Sequence, residues 1–284
     1  MSTRTRRISL GVLFTTSLWA LIFGLTRLIS SPAPSYQGKT LGQWIVPFCR
    51  QTTNGLDAPG GPGQFEQLQP VRRAVAQFGT NALPFLIASL NQRESALHRT
   101  IRQLADKQPL VTFRLADPRV RQVRAIRALA ILGPVARPAI PSLAVQLTNS
   151  SLSEHAVYAL AGMGPAGTRA LVDNYTNAAP AARIQVAFSL VFPTSTYRGE
   201  NAGQFETNQI PGAVLVEGLS RIVQDSTVGL RVPAIQRLGT FGPAASNAVP
   251  ALLPLLADRN PMIRQAAIAR LAKSDASQNL WFLL

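Results

Sequence analysis

Beyond residue 70, apolar positions recur three and four residues apart along most of the chain, a period that predicts helices rather than strands. Residues 129–136 read L-A-I-L-G-P-V-A, residues 160–167 read L-A-G-M-G-P-A-G, and residues 238–245 read L-G-T-F-G-P-A-A. A weaker copy, V-A-Q-F-G-T-N-A, runs from Val75 to Ala82. In each copy the first and fourth positions are apolar and share one helical face. Gly at the fifth position suits a helix C-terminus, where left-handed backbone is tolerated without a Cβ. Pro follows it in three copies and blocks continuation. A second apolar run then begins with a Pro near its start: A-I-P-S-L-A-V-Q-L from Ala139 and A-V-P-A-L-L-P-L-L from Ala248. Pro is tolerated there because the first-turn N–H has no partner in the helix. The predicted unit is helix, Gly-Pro turn, helix.

Two more copies keep only the first helix: R-I-Q-V-A-F-S-L ending at Leu190 and I-R-Q-A-A-I-A-R-L ending at Leu271. The leading apolar residues are Val75, Leu129, Leu160, Leu190, Leu238 and Leu271, at intervals of 54, 31, 30, 48 and 33. The base period is about 30–33 residues, with two insertions, near 92–119 and 193–211. Units of this size bury no core alone and must stack. The pattern therefore predicts an all-α chain, an α-solenoid of about six helix pairs over residues 70–284. Leu129, Leu132, Leu160, Leu238, Leu252 and Leu271 are expected in its continuous core.

The stretch from Val249 to Lys273, V-P-A-L-L-P-L-L-A-D-R-N-P-M-I-R-Q-A-A-I-A-R-L-A-K, resembles the HEAT-like repeats of bacterial phycobilin lyase-type proteins. The resemblance covers about residues 70–275. In that family the Asp of the turn and the Arg of the next helix form a stacking ladder between repeats. By resemblance these are Asp258 and Arg264, and Arg231 and Arg183 hold the same place seven residues before Leu238 and Leu190. Gln122 and Ser153 stand there in the second and third repeats, which implies a ladder broken in the middle.

Ahead of the repeats, Ile8 to Thr26 is a run of 19 residues without charge, close to the roughly 20 that a helix needs to cross a bilayer. Arg4, Arg6 and Arg7 precede it. The positive-inside tendency then predicts a single-pass anchor within residues 1–29, N-terminus cytoplasmic and repeats outside, in the periplasm. A cleaved signal peptide and a buried core helix are the other readings. Residues 30–69 read as linker and cap. Ser30 to Ser35 is Pro/Ser-rich, and Thr40 is placed to cap a short helix carrying Leu41, Trp44 and Ile45. That segment is expected to cover the first repeat, with ligand binding by Tyr36 and Trp44 as the alternative. Gly55 to Gly63 reads as a loop.

The chain has 284 residues, 28 Lys and Arg against 13 Asp and Glu, and a formal charge of +15. Four of the Arg lie in the first 29 residues, so the remainder carries +11. Arg121, Arg124 and Arg127, three apart on one helix, form a candidate partner-binding stripe for acidic groups. A solvated basic face is the plainer reading. Catalytic signatures are missing from the sequence. His98 and His155 each stand alone, the carboxylates show no clustered pair, and no phosphate-binding Gly loop or nucleophile elbow is present. Cys49 is the single cysteine and fits a buried apolar role. These features point to a membrane-anchored, non-catalytic protein–protein interaction scaffold with no cofactor and no metal, whose partner is an unidentified, acidic protein. The alternatives implied by the resemblance are a nucleic-acid-binding module like the HEAT-like DNA glycosylases and a bilin lyase-like enzyme. A domain outside the cytoplasm meets no genome, and the stripe lacks the interleaved aromatics of single-strand binders.

Overall fold

A computed structural model describes residues 35–48, 50–52, 55–57, 64–92, 118–192 and 210–272. The expected membrane segment, Cys49, His98 and nearly all of both insertions lie outside the described residues. The described part is mostly α-helical.

Two short hairpins come first. Strand β1 (Ser35–Tyr36) pairs antiparallel with β2 (Lys39–Thr40), Tyr36 opposite Lys39. Gln37 and Gly38 between them have φ of 49° and 73°, the left-handed pair that a two-residue hairpin turn requires. Thr40 then caps helix α1 (Leu41–Trp44). Its hydroxyl accepts the Gln43 N–H at 3.4 Å while the Gln43 side chain accepts the Thr40 N–H at 2.8 Å, a reciprocal capping box. Leu41 and Ile45 are buried, and the Tyr36 ring meets Phe78 edge-on at 6.2 Å. The segment thus covers the start of the helical body. One expectation is corrected here. Gly55–Asp57 is strand β4, paired with β3 (Arg50–Thr52) in the register Thr52 opposite Gly55, so the loop reading fails for its first three residues. Only two residues separate the partners, and so short a link closes a hairpin whatever its Gly and Pro content downstream.

The helices follow as α2 (Gln64–Phe78), α3 (Leu83–Asn91), α4 (Pro118–Leu132), α5 (Ile140–Gln146), α6 (Ser153–Gly162), α7 (Pro165–Asp173), α8 (Pro180–Val191), α9 (Gly212–Gln224), α10 (Arg231–Gly239), α11 (Val249–Leu252) and α12 (Pro261–Ala272). Val75, Leu129, Leu160, Leu190, Leu238 and Leu271 fall on α2, α4, α6, α8, α10 and α12, and all six are buried. Each of these helices packs on the next of its kind. The intervening helices α3, α5, α7, α9 and α11 likewise pack in succession. Leu132 and Leu252 are also buried, so the apolar period reports the core correctly.

The motif glycines act as the helix-end reading requires. Gly79, Gly133, Gly164 and Gly242 have φ between 51° and 72°, a conformation that costs an L side chain energy. Gly218 serves differently. A Cβ there would sit 2.7 Å from the Leu190 Cδ1 and 2.8 Å from the Val172 Cγ2, so its absence lets α9 close onto α7 and α8. The helical run Pro118–Gln146 has the length and apolarity of a membrane span, but it turns at Gly133 and its apolar residues pack against α3 and α6. A core helix passes the same composition test.

Candidate functional site

Three groups of charged side chains stand out. The first joins successive helix pairs. After α9 and α11 the chain makes the same turn: Asp225 accepts the Thr227 N–H and Asp258 accepts the Asn260 N–H, both at 2.9 Å. Each Asp then reaches the Arg of the preceding unit. Arg231 Nη2 lies 2.7 Å from Asp258, and Arg183 Nη1 lies 3.3 Å from Asp225. Arg231 Nε also donates to the Val223 carbonyl at 2.8 Å, tying down the end of α9. Arg264 binds the backbone carbonyl of Asp258 at 2.7 Å rather than its carboxylate. At the corresponding places Gln122 donates to the Leu90 and Gln92 carbonyls at 3.1 and 3.2 Å, and Ser153 is fully buried with its hydroxyl unpartnered. At these ladder positions the Arg–Asp ion pairs are therefore those of Arg183 and Arg231.

Tyr175 enlarges this group. Its hydroxyl donates to Asp225 at 3.0 Å, and burial, then the Asp225 charge, pushes its ionisation up. Burial is the largest influence on Asp225 and works to raise it. The Thr227 hydroxyl and N–H, Tyr175 and Arg183 together outweigh that and hold the carboxyl below its ordinary range. Asp258 is held low mainly by the Asn260 N–H, then by Arg231. Sequence reading named Asp258 but missed Asp225 and Tyr175. Asp225 carried a legible signal, since it stands six residues before Arg231 as Asp258 stands before Arg264.

The second group is a surface network between α7 and α9. Arg169 contacts Asp173 at 2.9 Å and Glu217 at 2.7 Å, and Arg221 contacts Glu217 at 2.8 Å. Arg221 also donates to the Val172 carbonyl at 2.8 Å. These contacts lock two neighbouring helices and leave no cation free for a partner.

The third group is the predicted stripe on α4. Arg121 is exposed, whereas Arg124 and Arg127 are half-buried. Arg127 faces α6: burial first, and the Arg127 charge second, lower the pKa of the half-buried His155. Of the stripe, Arg121 is thus the residue most open to a partner. Its surroundings extend the patch beyond the three residues. Among the described residues from 69 to 153 there are seven Arg (72, 73, 119, 121, 124, 127 and 137) and no Asp or Glu. Arg73, Arg121 and Arg137 are exposed. Beyond Ser153 the charges are mixed, and Asp173, Glu217, Asp225 and Asp258 each bind an Arg.

No set of three or more His, Cys, Asp or Glu side chains is placed to hold a metal ion among the described residues. What the geometry defines is a mostly α-helical protein of packed helices, with Asp–Arg ion pairs between its later helices and, among the described residues from 69 to 153, Arg but no Asp or Glu. No protein-family model matches the chain, and no curated protein matches it.

Proposed function

We propose that the chain is a non-catalytic, membrane-anchored scaffold: an α-solenoid of HEAT-like helix pairs whose basic half docks an acidic protein. The observation that carries this reading is the charge segregation. Among the described residues from 69 to 153 there are seven Arg and no Asp or Glu, with Arg73, Arg121 and Arg137 exposed, while in the other half Asp173, Glu217, Asp225 and Asp258 bind Arg side chains. Such a surface steers and selects an oppositely charged partner. The solenoid reading is supported by the packing of each repeat helix on the next of its kind. The anchor reading rests on the uncharged run Ile8 to Thr26 behind three Arg.

Reversing Arg73 and Arg121 to Glu tests the docking surface. Both are exposed, and exposed charges add at most about 1 kcal/mol to stability. Recovery of the crosslinked acidic partner from solubilised membranes is expected to be lost while the melting curve stays nearly unchanged. Recovery that survives both the reversal and high salt would contradict the proposal. The anchor has its own check. Alkaline phosphatase fused to the C-terminus is expected to be active, and activity confined to a cytoplasm-dependent reporter would reverse the orientation.

A further inference from the structure

At the other end of the helix order, α10 and α12 part to leave a cavity of about 510 Å³. Val232, Ile235 and Ala266 form apolar wall, and Gln236 and Gln265 face it with amides that hold no hydrogen bond among the described residues. Arg270 also lines it and is only 4 % exposed. Its Nη2 donates to the Gly242 carbonyl at 3.0 Å, its buried Nε finds no acceptor, and no carboxylate among the described residues pairs with it. Among the described residues, Asp258 pairs with Arg231 and Asp225 with Arg183. A buried guanidinium is unfavourable until an anion or further acceptors satisfy it. Desolvation correspondingly lowers the Arg270 pKa.

We propose that this cavity binds a carboxylate carried on a short apolar chain, with Arg270 holding the carboxylate, the apolar wall taking the chain, and Gln236 and Gln265 serving amide or water at the rim. The volume lies within the roughly 300–1,000 Å³ usual for small-molecule sites, and a planar guanidinium suits a carboxylate's two oxygens. Two sources share this chemistry: a free aliphatic acid and the carboxyl end of a peptide with an apolar last residue. The site is separate from the basic face on α2 and α4, so either can fail alone.

Binding to the purified full chain is measured by titration with hexanoate, hexan-1-ol, N-acetyl-Gly-Leu and its amide. At least one acid is expected to bind saturably and about tenfold or more tighter than its uncharged analogue, a difference of about 1.4 kcal/mol. Arg270→Met keeps the stem, and it is expected to abolish that preference. Ala269→Trp, at an exposed position lining the cavity, is expected to weaken binding of every probe while Arg270 stays in place. A tighter N-acetyl-Gly-Leu identifies a peptide end, and a tighter hexanoate identifies an aliphatic acid. Acids binding no tighter than their analogues, or a preference that survives Arg270→Met, would overturn the site. If Arg270→Met does not fold, Ala269→Trp decides, and undiminished binding to it overturns the proposal.

Discussion

Gly218 lies within α9, where a helix normally gains about 1 kcal/mol from Ala in place of Gly. The neighbours reverse that expectation, because a Cβ would press on the Leu190 and Val172 side chains at 2.7 and 2.8 Å. Both are buried and have little room to yield. Gly218→Ala is therefore expected to destabilise by about 1–3 kcal/mol, as overpacking does. Urea unfolding of the purified chain checks it, and combining it with Val172→Ala is expected to recover part of the loss, because the two residues are in contact. A stabilised Gly218→Ala would mean that α9 does not close onto α7 and α8. His155 makes the same point about environment. The sequence shows a solitary histidine, and the fold half-buries it beside Arg127, where burial and charge both disfavour its protonated form.

The elements are joined by repeated devices, and these were unequally legible. The helix pairs could be read because core position, Gly turn and first-turn Pro recur in fixed order, and each has one local physical cause. Val75, Leu129, Leu160, Leu190, Leu238 and Leu271 all prove buried for that reason. The ion pairs were harder, because they join residues far apart in the chain. Asp258 stands six residues from Arg264 yet gives its carboxylate to Arg231, and Asp225 gives its own to Arg183. Spacing within one unit cannot show which unit supplies the partner. Arg270 and Tyr175 were illegible for a related cause: neither looks unusual until the facing helix sets its burial. The Gly55–Asp57 strand was missed because Gly and Pro further along dominated the local composition.

The ion pairs make a prediction for acid. Asp225 and Asp258 both have folded-state values below the ordinary one. Their contribution is complete above the unfolded carboxyl pKa, near 4, and is lost as pH falls through the folded value, because the unfolded chain takes up the proton first. Denaturant midpoints at pH 6 and pH 3 are expected to show this loss in the native chain. The double variant Asp225→Asn, Asp258→Asn is expected to start lower at pH 6 and to fall less on acidification. An unchanged acid limb would remove these pairs from the linkage between helix pairs.

At the scale of the whole molecule, the two halves manage charge differently. From α7 onward, Asp173, Glu217, Asp225 and Asp258 bind Arg side chains, which spends charge on holding helices together. From residue 69 to residue 153 no Asp or Glu stands among the described residues, and Arg73, Arg121 and Arg137 are exposed. An excess of exposed charge of one sign favours encounter with an opposite charge. That asymmetry is the reason the proposed partner is placed on the first half. The most direct measurement is site-specific photo-crosslinking in intact membranes, from residue 121 in the basic half and from residue 259, an exposed Arg in the other half. The account predicts a discrete adduct with an acidic protein from position 121, absent from position 259 and lost as salt shortens the screening length below about 8 Å. No adduct from 121, or the same adduct from both positions, would contradict it.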